Sequence, residues 1–218
     1  AGVSWTTSTY CDEAANFGLF LDYRNLKQIN ARVVEAARRL RVKKIVFGEC
    51  GHAWRAALMM NTLNGPLDFL ETPYPVHICE FTTALIRRGA LKLDKSANAK
   101  YAVTYHDPCN IARAGGLLEE PREILRAVVL DFREMPANTI RERTFCCGGG
   151  GGLLSEELME LRMAGGKVRA DAVKTTGANT LATICAICKA QLRESMQHHQ
   201  TGAEVCGVHD LVAKAIVL

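Results

Sequence analysis

The chain contains no run of about 18 consecutive apolar residues, so no segment of its sequence reads as a membrane-spanning helix. Its opening stretch, AGVSWTTSTYC, lacks the basic segment and apolar core of a secretory signal, and no initiator Met precedes it. A dense basic patch interleaved with aromatics is also missing, and the formal net charge is only +4, so the composition does not point to nucleic acid. The one long glycine run lacks the Gly-Lys-Ser/Thr ending of a phosphate loop. Tandem Cys-x2-Cys-x2-Cys motifs of the kind that hold cubane clusters are absent as well. What remains is ordinary: 218 residues, 48% hydrophobic and 23% charged, enough for one large domain or two small ones.

The cysteine count is not ordinary. There are nine, an odd number, in a chain without a secretory signal, which argues for a reducing, cytoplasmic setting and against a disulfide framework. Free cysteines often serve as small buried hydrophobes. Spacing has to separate that reading from metal or redox chemistry.

Periodicity predicts alternating helices and strands. Residues 25–40 carry Leu26, Ile29, Val33, Ala36, Ala37 and Leu40 at helical spacing, and KKIVFGEC (43–50) follows as a β-branched run. KYAVTYHDPC (100–109) and TLATIC (180–185) read as further strands, with helices over 53–63, 79–89, 117–130, 156–174, 187–199 and 208–217. This alternation predicts an α/β fold with parallel sheets, and several cysteines fall at strand C-terminal ends, where such sheets place their sites. The pattern also repeats. Tyr10-Cys11 aligns with Cys146-Cys147 and Cys50 with Cys185, an offset of about 135 residues. Each copy has a cysteine, a Gly/Ala-rich stretch, a long helix, a β-run ending in Cys, and a closing helix (CEFTTALI, HDLVAKAI). The expectation is two pseudo-symmetric, Rossmann-like units: 1–97, truncated and degenerate, and 98–218, complete. The strand and cysteine missing from the first copy would fall before residue 1, so the chain is expected to be the C-terminal part of a longer protein.

The second copy carries the chemistry. In it, 36 residues separate Cys109 from Cys146, and 37 separate Cys147 from Cys185, which opens a Cys-x-x-Cys ending at Cys188. A lone Cys-x-x-Cys is a weak signal, shared by zinc half-sites and dithiols. Adjacent cysteines followed by five glycines are far rarer. Main-chain N–H groups at Gly148 and Gly149 can approach sulfur closely there, and helix N-termini favour thiolate. His106, just before the Asp107-Pro108-Cys109 turn, reads as a structural histidine, a loop-orienting group or a proton donor.

This spacing resembles the cysteine-rich CCG domain of the B-type polypeptide of heterodisulfide reductase and its relatives, over nearly the whole chain. The resemblance implies tandem α/β copies and a non-cubane [4Fe–4S] cluster held by Cys109, Cys146, Cys147, Cys185 and Cys188. The incomplete first copy, with GECGHAWRA at 48–56, is similar to the DsrK-like branch. That branch implies an oxidoreductase reducing, or forming, a disulfide or trisulfide on a small DsrC-like sulfur-carrier protein in dissimilatory sulfur metabolism. It also implies membrane-bound and ferredoxin-type electron-transfer subunits, with a cytoplasmic chain associated to the membrane through them. Relatives also serve as electron-accepting subunits of 2-hydroxy-acid and glycerol-3-phosphate dehydrogenases, although both copies tend to be complete there. A zinc-bound structural module is the reading from a different class.

The first copy departs from the pattern. Tyr10 replaces one paired cysteine, and Ala53 replaces the last cysteine of the Cys-x-x-Cys. Three readings stand: a zinc site from Cys11, Cys50, His52 and Cys79, a degenerate copy with core cysteines, or a pocket facing the intact site. In the last, Cys50 and His52 are the candidate catalytic groups, His52 as proton donor.

Overall fold

A computed structural model describes residues 1–8 and 15–217. Helices α1 (Ala15–Leu21) and α2 (Tyr23–Arg39) lead into strand β1 (Val46–Phe47), helices α3 (Gly51–Ala57) and α4 (Met60–Asn64), strand β2 (Val76–His77) and helix α5 (Ile78–Arg87). The second part runs β3 (Ala102–Tyr105), α6 (Glu120–Val128), β4 (Asp131–Phe132), α7 (Met159–Thr176), β5 (Thr180–Thr183), α8 (Ala186–His198), β6 (Glu204–Gly207) and α9 (Val208–Ala215). Every pairing between these strands is parallel, in a β1–β2 pair and a four-stranded sheet ordered β4-β3-β5-β6. The α/β class with parallel sheets is therefore the observed one. No helix among the described residues is long and apolar enough to cross a membrane.

Local chemistry sets the boundaries. Helix α2 starts where Asp22 caps it, its carboxylate accepting from Arg24 N (2.7 Å) and Asn25 N (2.9 Å). The predicted helix over 53–63 breaks in two: Met59 N–H reaches only to Ala56 O (3.2 Å), a three-residue step that ends the α3 ladder. Helix α7 stops at Gly177, whose φ of +61° suits glycine. The strand expected over 43–50 contracts to two residues.

Strands β3 and β5 are central and buried along nearly their whole length, Thr104, Thr180 and Thr183 included. Ala182 and Ile184 pack with Val103, Tyr105, Ile124, Val208 and Leu211, while Leu181 packs with Val173, Leu192 and Met196. The first of these cores also takes in Trp54, Leu67 and Cys79, so it draws on residues from both sides of position 97. Helix α6 lies between α5 and α9.

Two local structures recur. Cys50 follows β1 and caps α3 with φ −137°, ψ 114°, and Cys185 follows β5 and caps α8 with φ −134°, ψ 124°. Helices α5 and α9 each follow a short strand and each open on an acid that bonds back. Glu80 accepts from His77 N (2.8 Å), and Asp210 accepts from Gly207 N (2.7 Å). These are the pairs that the sequence repeat aligns.

Candidate metal centre

Neighbouring parallel strands release their chains at the same sheet edge. Cys109 lies in the turn after β3, Cys185 directly after β5, and Cys188 one turn into α8. Cys146 and Cys147 arrive from the loop before α7. The five thiols contact one another in a string, Cys109–Cys146–Cys147–Cys188–Cys185. Cys147, Cys185 and Cys188 are buried, Cys109 is half-buried and Cys146 is exposed, so the string opens to solvent at Cys146.

Backbone donors surround the sulfurs. Gly148 N–H points to Cys146 Sγ at 3.4 Å, joined by Gly150, and Gly149 N–H serves Cys147. Both predicted glycines thus meet the thiols. Cys185 receives the N–H groups of Ile187, Cys188 and Gly51. Gly51 comes from the other half of the chain, and its contact was not anticipated; its place directly after Cys50 was the available signal.

These donors set the charge states. Hydrogen bonds from Cys109 and Cys147, with the Gly148 and Gly150 amides, hold the Cys146 thiol far below the usual range. The bond from Cys188, with the three backbone amides, lowers Cys185 to about 6. Their partners move the other way: Cys146 pushes Cys109 strongly up and Cys147 up to about 12, and Cys147 and Cys185 together raise Cys188. The backbone amides thus favour negative charge at Cys146 and at Cys185, the two sulfurs that the string pushes down.

Buried arginines hold the loops. Arg122, fully buried, bonds both Asp107 carboxylate oxygens (2.7 and 2.8 Å), Glu134 (2.7 Å) and Leu118 O (2.7 Å). Asp107 in turn accepts from Arg141 N (2.9 Å), and its carbonyl accepts from Thr144 Oγ1 (2.8 Å). The turn carrying Cys109 is thereby tied to the approach to Cys146. Arg169 joins Thr139 O (2.8 Å), Thr144 Oγ1 (2.9 Å) and Phe145 O (3.3 Å). Burial lowers Arg169 to about 10, while Asp107, Cys188, Cys147 and Cys146 pull toward the charged form. Neither arginine was singled out from the sequence.

His106 is fully buried, with a ring nitrogen and the Cys147 and Cys188 sulfurs all within 4.8 Å of one another. Burial, then the Arg169 charge, holds its pKa well below the ordinary value. Among the described residues neither ring nitrogen has a hydrogen-bond partner.

The donor set fits a multi-iron cluster better than a single ion. Ligands of one tetrahedral zinc at about 2.3 Å all lie within roughly 4.6 Å of one another. Among the described residues only His106, Cys147 and Cys188 meet such a criterion, and the other thiols extend the string beyond it.

The first half brings Cys50 and His52 to this edge. Glu49 O accepts from Ala186 N (2.9 Å), seating that loop on the start of α8. His52 stacks edge-on to Phe20 (5.0 Å); burial and Arg55 lower its pKa while nearby Cys146 opposes them. Cys79 does not join them: it is a core thiol between α5 and the sheet, raised by burial. Cys50, His52 and Cys79 form no metal-binding group among the described residues, and Cys11 and Tyr10 lie outside those residues. Cys206, on β6, is pushed up to about 12 by burial and stands apart from the string.

Glu49 also ties the halves together. Its Oε1 lies 2.6 Å from His209 Nδ1 and accepts from His209 N (3.1 Å); Lys189 Nζ is 3.4 Å from Oε2. Burial pushes this carboxyl up, but His209 and Lys189 outweigh it and hold its pKa below the usual value. A carboxyl lowered by folding contributes stability above its unfolded value near 4.3, lost as pH falls through the folded value. The urea midpoint should therefore drop on acidification below pH 5, and Glu49→Gln should flatten that limb.

A parallel α/β sheet that gathers five thiols, with backbone amides aimed at the sulfurs, defines a thiol-rich metal and redox centre. Residues 103–193 match the family model of the CCG cysteine-rich domain, and the chain belongs to the heterodisulfide-reductase-like CCG family of iron–sulfur proteins. It is 40% identical over 250 aligned residues to an "Hdr-like menaquinol oxidoreductase iron-sulfur subunit 2" of Archaeoglobus fulgidus, covering 100% of this chain and 45% of that protein. It is 32% identical over 188 residues to one of the subunits of the dihydromethanophenazine:CoB–CoM heterodisulfide reductase of Methanosarcina mazei, covering 85% of this chain and 44% of that one. A shorter match, 43% over 83 residues, joins 38% of the chain to 12% of a probable membrane-anchored ferredoxin of Chromohalobacter salexigens. The chain thus spans a little under half the length of the first two relatives.

Proposed function

We propose that residues 98–218 hold a non-cubane [4Fe–4S] cluster through Cys109, Cys146, Cys147, Cys185 and Cys188, and that residues 1–97 form a depleted counterpart facing it. The chain is then the redox part of an oxidoreductase that reduces, or forms, a disulfide or trisulfide on a small DsrC-like sulfur-carrier protein in dissimilatory sulfur metabolism. Ferredoxin-type and membrane-bound subunits exchange electrons with it and bring it to the membrane. When bound, the cluster supplies one electron at a time to or from sulfur.

The observation that carries this reading is the string of five thiols, drawn from three loops to one sheet edge and open at Cys146. The residues of the chain have separate tasks. Gly148, Gly149, Gly150 and Gly51 aim N–H groups at the sulfurs and stabilise negative charge there. Arg169 balances that charge from the buried side. Cys50 and His52 face the open end, where a substrate disulfide approaches, and His52 is the proton donor to a released thiolate, taking each proton up from solvent as it passes it on. The relatives' names, a heterodisulfide reductase and an Hdr-like menaquinol oxidoreductase, both denote electron-transferring enzymes, the first acting on a sulfur–sulfur bond.

Anaerobic iron and sulfide analysis tests the reading. The full chain should carry about four irons with matching acid-labile sulfide. Cys146→Ser should lose the native paramagnetic signal and at least tenfold of the reduction rate toward a carrier-protein disulfide. Reduction retained without iron, or stoichiometric zinc in a colourless protein, would refute it. Faster turnover of a small-molecule heterodisulfide than of any carrier protein would replace the substrate assignment.

A further inference from the structure

His106 has an unexplained need. It follows β3, and its own backbone N–H is bonded to Ala182 O at 2.9 Å, so the main chain that carries the ring is held in register with β5. The ring is fully buried, and a neutral imidazole carries one N–H. Leaving that donor unpaired in the interior costs roughly 1–3 kcal/mol. Among the described residues no carboxylate, carbonyl or hydroxyl meets either nitrogen, and the Cys147 and Cys188 sulfurs lie within 4.8 Å of a ring nitrogen.

We propose that His106 is an N–H donor to the sulfurs of the cluster site at Cys147 and Cys188, a positioning residue that raises the cluster's reduction potential. The inference rests on the iron–sulfur reading above. The ring environment argues against direct ligation of iron by His106. A ligating imidazole donates its second N–H to a carboxylate or carbonyl, and here neither nitrogen has such an acceptor. A donor to sulfur leaves only a bare acceptor nitrogen in apolar surroundings. Hydrogen bonds to cluster sulfurs withdraw electron density and favour the reduced state.

The test uses the full chain, purified anaerobically, with iron content measured beside the midpoint potential. His106→Phe should keep its iron and shift the one-electron equilibrium about tenfold toward the oxidised form, close to 59 mV. His106→Gln, which retains an N–H donor, should recover part of that shift. In unaltered protein labelled with 15N-histidine, pulsed paramagnetic resonance should show only the weak nitrogen coupling of an outer hydrogen bond. An unchanged potential in His106→Phe at full iron content overturns the proposal, as does the strong coupling of a ligated imidazole. Should His106→Phe fail to fold, the 15N measurement decides alone. Unaltered protein without iron overturns the cluster reading itself, and the donor role with it.

Discussion

Arg122→Met should destabilise the folded chain by about 3–5 kcal/mol, the usual cost of stranding one partner of a buried ion pair. Arg122 and Asp107 are both fully buried, and Met fills much of the stem's volume while supplying none of its donors. Asp107 would keep only the Arg141 amide on its carboxylate. Its charge would then sit in the interior with most of its compensation gone, two residues from Cys109. Adding Asp107→Asn to Arg122→Met should recover part of the loss, because an amide leaves no net charge buried. Urea denaturation of the three proteins decides: a single-variant loss below about 1 kcal/mol, in the range of an exposed pair, would contradict the buried-pair account.

That arginine marks the limit of what the sequence disclosed. The five cysteines were legible because thiol spacing is discrete, and adjacent cysteines before five glycines rarely arise by chance. The equivalence of Cys50 and Cys185 was legible through the repeat, and both prove to be helix caps after short strands. Strands β2, β4 and β6 were not foreseen. Two-residue strands such as Asp131–Phe132 hold no period, and their pairing is imposed by the neighbour across the ladder. Arg122 and Arg169 passed unnoticed because arginine is ordinarily a surface residue. The signal was nonetheless present. Arg122 falls three residues before Leu125, and Arg169 lies between Gly166 and Val173, so each interrupts the inward stripe of its helix. A charge inside an apolar stripe needs a partner, and in both cases the partners lie in the loops that position the thiols.

The glycine run carries the second large effect, and it separates glycines that are needed from those that are not. Gly148 has φ +95°, and a Cβ there would stand 2.8 Å from Arg162 O and 3.1 Å from Gly166 N, both backbone atoms that cannot swing aside. Gly150 has no positive φ, and a Cβ on it meets nothing within 4 Å. Gly148→Ala should therefore cost about 2–4 kcal/mol, from left-handed backbone strain together with overpacking. Relief of the clash requires lifting the loop off the α7–α8 junction, where Arg162 and Gln191 bond each other (2.8 and 3.1 Å). Lifting it draws the Gly148 N–H away from Cys146 Sγ, so the thiolate loses a donor and the site loses a ligand position. Iron per chain should fall severalfold in Gly148→Ala even though every cysteine is retained. Gly150→Ala should leave both the urea midpoint and the iron content near those of the unaltered chain. Equal losses in the two variants would show that the run acts through flexibility alone; a loss confined to Gly148→Ala assigns it to the close approach of this part of the run to the α7–α8 junction.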